Sequence, residues 1–162
     1  MKYFVFALLF SFSFDSFAQI DSSCFVEKDF LIIQSTKDYS AALFTVKEAS
    51  KKLGIKINLK YLVPDKDSLI GLSLSKAEKD SIKASPFDYD TVYVPRGRWD
   101  DGIYISIEYS NRYDNFSKGY YLVMVGSGFK KDPQVAKTLK KVKTKYPDAY
   151  IKRSKVYICC MH

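Results

Sequence analysis

Two hydrophobic stripes of identical spacing set the architecture of this 162-residue chain. Ala42, Val46, Ala49 and Leu53 recur at i, i+4, i+7 and i+11, which is one face of a 3.6-residue helix. Val135, Leu139, Val142 and Tyr146 repeat that spacing, each 93 residues further on. The flanks repeat too. Before the first stripe, residues 30–35 (Phe-Leu-Ile-Ile-Gln-Ser) form an apolar, β-branched run suited to a buried strand, and Asp38 is placed to cap the helix. After it, Gly54 stops the helix, and residues 55–61 alternate apolar and polar as a half-buried strand ending before Pro64. Before the second stripe, residues 120–125 read as a strand and Gly126-Ser127-Gly128 as a turn. Asp132-Pro133 then supplies a cap followed by proline at the first helical position. Pro147-Asp148 turns the chain into a last strand over residues 150–158. Two strand-helix-strand units in tandem predict an α+β, ferredoxin-like sandwich, with the helices on one face of a mainly antiparallel sheet.

The units span about residues 28–62 and 120–158, and the segment between them, about 64–119, is too long for a plain connection. Ser75-Lys76-Ala77-Glu78 has capping-box spacing and predicts a short helix to about Ala84. Residues 91–94 and 103–109 read as strands joined by a polar loop, which predicts an inserted hairpin that extends or flanks the sheet. With 47% hydrophobic and 27% charged residues, 7 Gly and 5 Pro, the composition excludes collagen-like, Pro/Gly-rich and acidic disordered classes.

The N-terminus carries Lys2, an apolar run over residues 3–14 and Ser16-Phe17-Ala18, the pattern of a cleavable signal peptide. About twelve apolar residues are too few for a membrane span, which needs about twenty. The expectation is cleavage after Ala18 and one secreted or periplasmic domain over residues 19–162, with no transmembrane segment once the leader is removed. Outside the cytoplasm thiols tend to pair, so Cys24 is expected to bond Cys159 or Cys160, leaving one cysteine over.

The run Tyr121-Leu122-Val123-Met124-Val125-Gly126-Ser127-Gly128-Phe129, followed by an amphipathic helix and a strand, resembles half of a SPOR domain, a cell-wall-binding module of bacterial envelope proteins. The resemblance covers the second unit, and the first only by its pattern. It implies a βαββαβ fold whose sheet face grips peptidoglycan glycan strands.

Charge and aromatic content pick out the surfaces that could bind. The formal charge is +8, and residues 19–129 balance 15 basic against 15 acidic side chains, so the excess lies in residues 130–162, with 10 basic and 2 acidic. Lys137, Lys140, Lys141, Lys143 and Lys145 sit off the second apolar stripe; they form either a solvated face or a docking face for an anionic surface. Ten of the nineteen aromatics after Ala18 fall within residues 87–121. Among them the only tryptophan occupies the polar loop Arg96-Gly97-Arg98-Trp99-Asp100-Asp101, where it either stacks on a sugar, anchors a protein or folds back on the sheet. Arg96, Arg98, Trp99, Tyr104 and Ser127 are therefore the candidate ligand contacts, for a cell-wall glycan or, in the competing reading, another envelope protein bound by an interaction or inhibitor protein. Catalysis has little support: the single His162 is terminal, and Asp100, Asp101 and Glu108 could supply a carboxylate pair for glycoside hydrolysis, but adjacent acids in a turn are more often solvated. Cys159-Cys160-Met161-His162 offers soft ligands without a metal-site spacing, and no phosphate-binding loop is present, so no cofactor or metal is expected. Nucleic acid is not an expected partner of an exported chain lacking helix-turn-helix or zinc patterns.

Overall fold

A computed structural model describes residues 24–83 and 93–159. The expected signal peptide, Cys160 and His162 lie outside them. The chain runs β1 (Phe25–Thr36), α1 (Tyr39–Leu53), β2 (Leu62–Pro64), β3 (Leu72–Leu74), α2 (Lys76–Lys83), β4 (Gly102–Tyr109), β5 (Tyr121–Phe129), α3 (Pro133–Lys143) and β6 (Tyr150–Tyr157). The main sheet has the order β4-β5-β1-β6, with every neighbouring pair antiparallel. This is the ferredoxin-like α+β sandwich that the doubled stripe predicts.

Both long helices form where the spacing places them. Asp38 accepts the Ser40 amide at 2.8 Å and Gly54 ends α1 in the left-handed region at φ 66°, while Asp132 accepts the Gln134 and Val135 amides with Pro133 opening α3. Ala42, Val46, Ala49 and Leu53 are the buried residues of α1. With Val135 and Val142 of α3 they pack on Leu31, Ile105, Ile107, Val123 and Val125 of the sheet. Cys24 and Cys159 form a disulfide beside the Phe25/Tyr157 end of the β1/β6 ladder, which settles the choice between Cys159 and Cys160 among the described residues.

Three local expectations change. Residues 55–61 form no strand apart from a single parallel bridge, Ile57 to Ile105. Lys60 and Tyr61 take positive φ, and Asn58 accepts the Lys60 amide at 3.1 Å, so the extended run curls into a turn. Ile55 and Leu59 still reach the helix-side core. The strand that closes the first unit is β4, the position a ferredoxin-like order requires, so the insertion sits inside that unit between α1 and β4. The predicted hairpin is also replaced: β4 pairs with β5, residues 93 and 94 are not strand, and 91 and 92 lie outside the described residues. Lastly, Gly126-Ser127-Gly128 is strand and not turn. A Cβ on Gly128 would come within 2.6 Å of the Asp132 carboxylate, so close approach, not chain reversal, demands glycine there. The reversal falls at Lys131, with φ 63°.

The sheet face turned away from the helices is covered by the chain itself. Phe30, Ile32, Leu122, Met124 and Val156 are buried there beneath Tyr113 and Phe116, which lie in the β4–β5 connection, with Tyr120 packed alongside. Residues 96–101 cross the same face further along, with Gly97 against the Phe30 ring and Arg96 on Ser127, whereas Tyr93 packs with the helix-side core. A register shift pairs Leu31 with Gly126 but Ile32 with Met124, skipping Val125. This bulge turns both Met124 and Ser127 to the covered side.

Candidate functional site

The loop over residues 93–101 is pinned by Arg96, whose side chain has no solvent exposure. Its Nε donates to Ser127 Oγ at 3.0 Å. One terminal nitrogen donates to the Tyr104 carbonyl, Ser106 Oγ and the Met124 carbonyl, and the other to the Gly102 carbonyl at 2.7 Å. The guanidinium carbon lies 3.6 Å from the Tyr104 ring centroid. Burial pulls the guanidinium below its ordinary pKa, an effect opposed by the charges around it, including Glu108. Glu108, also fully buried, accepts the Arg96 amide at 3.2 Å and the Tyr113 hydroxyl at 3.0 Å through one oxygen. Its other oxygen has no hydrogen bond but lies 3.6 Å from Lys60 Nζ.

Lys60 in turn pairs with Asp100 at 2.7 Å. Asp100 also accepts the Gly97 amide at 3.1 Å and the Tyr104 hydroxyl at 2.6 Å. Burial raises the Tyr104 phenol well above its ordinary value, so it remains a donor to that carboxylate across the physiological range. The result is a connected set, Arg96, Glu108, Lys60, Asp100 and Tyr104, that locks the loop on the sheet. Asp101 adds an ion pair to the buried Lys28, whose Nζ stands 3.4 Å over the Phe129 ring.

Above this set Trp99 is 64% exposed. Arg98 lies between two rings, 4.5 Å from Trp99 and 5.2 Å from Tyr157, and donates to the Cys159 carbonyl at 2.8 Å. The disulfide therefore anchors the strand end to which Arg98, the tryptophan's stacking partner, is tied. Beside Trp99 opens a groove of about 310 Å³ lined by Asn58, Lys60, Leu62, Leu74, Tyr93, Val94 and Asp100. Apolar walls with a few fixed polar groups are the usual make-up of a small-ligand site.

The five candidate contacts thus divide. Trp99 is exposed at the groove, Arg98 orients it, and Tyr104 is half-buried beneath it. Arg96 and Ser127 are buried against each other, so their polar atoms serve the loop anchor. Asn58, Lys60, Leu62, Leu74, Tyr93 and Val94 were not among the candidates. Lys60 looked like the solvent side of a strand, and nothing in the local pattern ties it to Asp100, forty residues away. As for hydrolysis, Lys60 bridges Asp100 and Glu108. Glu108 is fully buried, so these two carboxylates do not face each other across an open cleft as a hydrolytic pair would.

Lys137, Lys140, Lys141 and Lys145 are exposed, as is Lys143. Lys141 also donates to the Leu53 carbonyl at the end of α1, at 3.2 Å. Among the described residues no three His, Cys, Asp or Glu side chains assemble as a metal site, and no helix is long and apolar enough to cross a membrane. Compared with protein-family models, curated proteins and solved structures, the chain finds no match.

Proposed function

We propose that this is an exported, non-catalytic binding module that takes a cell-wall glycan in the groove beside Trp99. The observation that carries the reading is the pairing of a largely exposed indole, stacked on Arg98, with a groove whose polar side includes Lys60 and Asp100, both held by the buried charge set. A flat apolar ring beside rigid hydrogen-bonding groups matches a sugar ring, which has an apolar face and hydroxyls around its edge. SPOR-like binding would use the sheet face. Here that face is covered by residues 96–101 and the β4–β5 connection, so the glycan is assigned to the groove.

The test is co-sedimentation with purified sacculi, with and without amidase removal of stem peptides. Tryptophan emission, which in this chain reports Trp99 alone, follows binding of soluble glycan fragments. Wild type should pellet with sacculi, and Trp99→Ala should weaken recovery about tenfold or more, as hot-spot aromatics do. Equal recovery of both proteins overturns the reading.

One observation favours a protein ligand as the second reading. Phe25 meets Tyr157 edge to face at 5.3 Å, and Tyr157, Arg98 and Trp99 continue the stack. This run has the composition of a protein-binding hot spot. Crosslinking at residue 99 in cells should then trap one envelope protein in place of glycan.

A further inference from the structure

The helix layer, remote from the groove in function and chemistry, carries a second surface. Positions opposite the buried stripe of α1 are Phe44, Lys47 and Lys51; those opposite the stripe of α3 are Lys137, Lys140 and Lys141. Both helices cover the same side of the sheet, so these six side chains share one outer surface. Lys141 Nζ on the Leu53 carbonyl and Lys52 Nζ 5.9 Å from the Tyr146 ring tie the C-terminal parts of the two helices together.

Two independent features mark this surface. The first is charge: the sole acid of α1, Glu48, is taken by Lys52 at 2.9 Å, α3 has no acid, and among the described residues none of the α3 lysines makes an ion pair. The second is Phe44, which is 65% exposed on the outward side of α1, one and two turns ahead of Lys47 and Lys51. Single exposed apolar side chains are common, and what distinguishes Phe44 is its place on the same helix face as Lys47 and Lys51. No groove described here includes Phe44. A lone apolar side chain among unpaired lysines on a helical surface is the make-up of peripheral contact with an anionic bilayer, where lysines meet headgroups and the ring enters the acyl boundary.

We infer that the α1/α3 layer docks on an anionic lipid surface, with Lys47, Lys51, Lys137 and Lys140 supplying charge and Phe44 inserting. An acidic protein or polymer would satisfy the lysines but leave Phe44 unexplained, so the lipid is the occupant chosen. Phe44 and these four lysines line none of the groove, so docking through them leaves its walls uncovered.

The test is flotation of the mature protein with vesicles of phosphatidylcholine alone, or with about one third phosphatidylglycerol, and a parallel arm with soluble polyglutamate. Binding should require the anionic lipid. It should fall steeply as salt rises from about 0.1 M to about 1 M, where screening shortens from about 10 Å to about 3 Å. Each lysine near the surface is worth about fivefold, so Lys137→Glu with Lys140→Glu should weaken binding by more than about twentyfold. Phe44→Ser should weaken it severalfold while leaving the salt dependence unchanged. These positions are exposed, so circular dichroism should show an unchanged fold. Indifference to the phosphatidylglycerol, binding insensitive to Phe44→Ser, or capture by polyglutamate without vesicles would each overturn the inference. Sacculus binding by the same variants should be unaffected, which separates this surface from the groove.

Discussion

Replacing Arg96 by alanine should be among the most damaging single changes available to this protein. The guanidinium makes five hydrogen bonds, to two hydroxyls and three carbonyls, with no part of the side chain in solvent. Hydrogen bonds to a charged group are worth about 1.5–3 kcal/mol each. A plain sum over five of them would rival the whole stability of a domain, about 5–15 kcal/mol, so the bonds cannot be additive. The serine hydroxyls can turn to other acceptors, and removing the guanidinium also removes its own desolvation cost. What stays uncompensated is the buried Glu108, with Lys60 at 3.6 Å as its remaining cationic neighbour. Stranding one member of a buried charge set costs about 3–5 kcal/mol. For a domain of this size, at about 3–4 °C per kcal/mol, the melting temperature should drop by about 10–20 °C. Arg96→Lys, which keeps the charge but loses the planar fork, should fall between alanine and wild type. Urea denaturation gives the free energy, and steady-state anisotropy of the single tryptophan reports whether Trp99 loses its fixed position. A loss below about 1 kcal/mol for Arg96→Ala, or an unchanged anisotropy, would refute the claim that this residue anchors the loop.

Other consequences can be checked with the same assays. Reducing the Cys24–Cys159 disulfide, whose sequence separation is 135, should cost about 5 kcal/mol by the loop-entropy relation, read from denaturation with and without reductant; a change under about 1 kcal/mol would refute this. Gly128→Ala should cost about 1–2 kcal/mol, because the new methyl displaces the Asp132 cap of α3, and helicity should fall with it. Burial alone would raise the Asp29 pKa, yet bonds from Arg153 at 2.7 Å and from the Lys131 amide at 2.8 Å outweigh it and the carboxyl lies below its ordinary value. A depressed folded-state pKa contributes stability above the unfolded value of about 3.9 that is lost as pH falls toward the folded value; Asp29→Asn should therefore flatten the acid limb of stability below about pH 4 and lower the plateau above it.

The parts of this fold that could be read directly were those whose cause is local. A helix stripe, a capping Asp38 or an Asp132-Pro133 start depends on residues within one or two turns, and the buried residues of α1 are the four that the spacing names. Residues 55–61 show where local pattern fails. Their alternation fits a strand, but a strand needs a continuous partner, and β4 supplies only the bridge at Ile105 before Lys60 and Tyr61 turn away. The site was half legible for the same reason. Trp99 stood out because a lone indole in a polar loop is odd within its own neighbourhood. Arg96 and Ser127 were singled out too, yet their pairing spans 31 positions and depends on a bulge at Val125, which no short-range rule encodes. Tyr104, Ser106 and Glu108 alternate outward from the helix side of β4, and only the covering loop turns that outward side into an interior.

That reversal connects the fold to the proposed binding groove. An open sheet face binds whatever matches its strands, whereas here the insertion within the first unit and the β4–β5 connection have converted the face into a second core, with Phe30, Ile32, Met124 and Tyr113 sealed on one part and the Arg96 charge set on the other. Burying so many charges is a poor way to gain stability, since apolar packing of equal volume does as well or better. What such a set does supply is direction: the planar Arg96 fork meets acceptors on both β4 and β5, and Lys60, Asp100 and Tyr104 fix the loop in one place. A loop that only needed covering could have been held by leucines. A loop that must present Trp99 at a constant angle to Asn58 and Asp100 benefits from the polar clamp, because rigidity prepaid in folding is not charged again on binding. If that is the reason for the clamp, Arg96→Lys should weaken glycan binding more than its loss of stability accounts for, even at temperatures where the variant is fully folded.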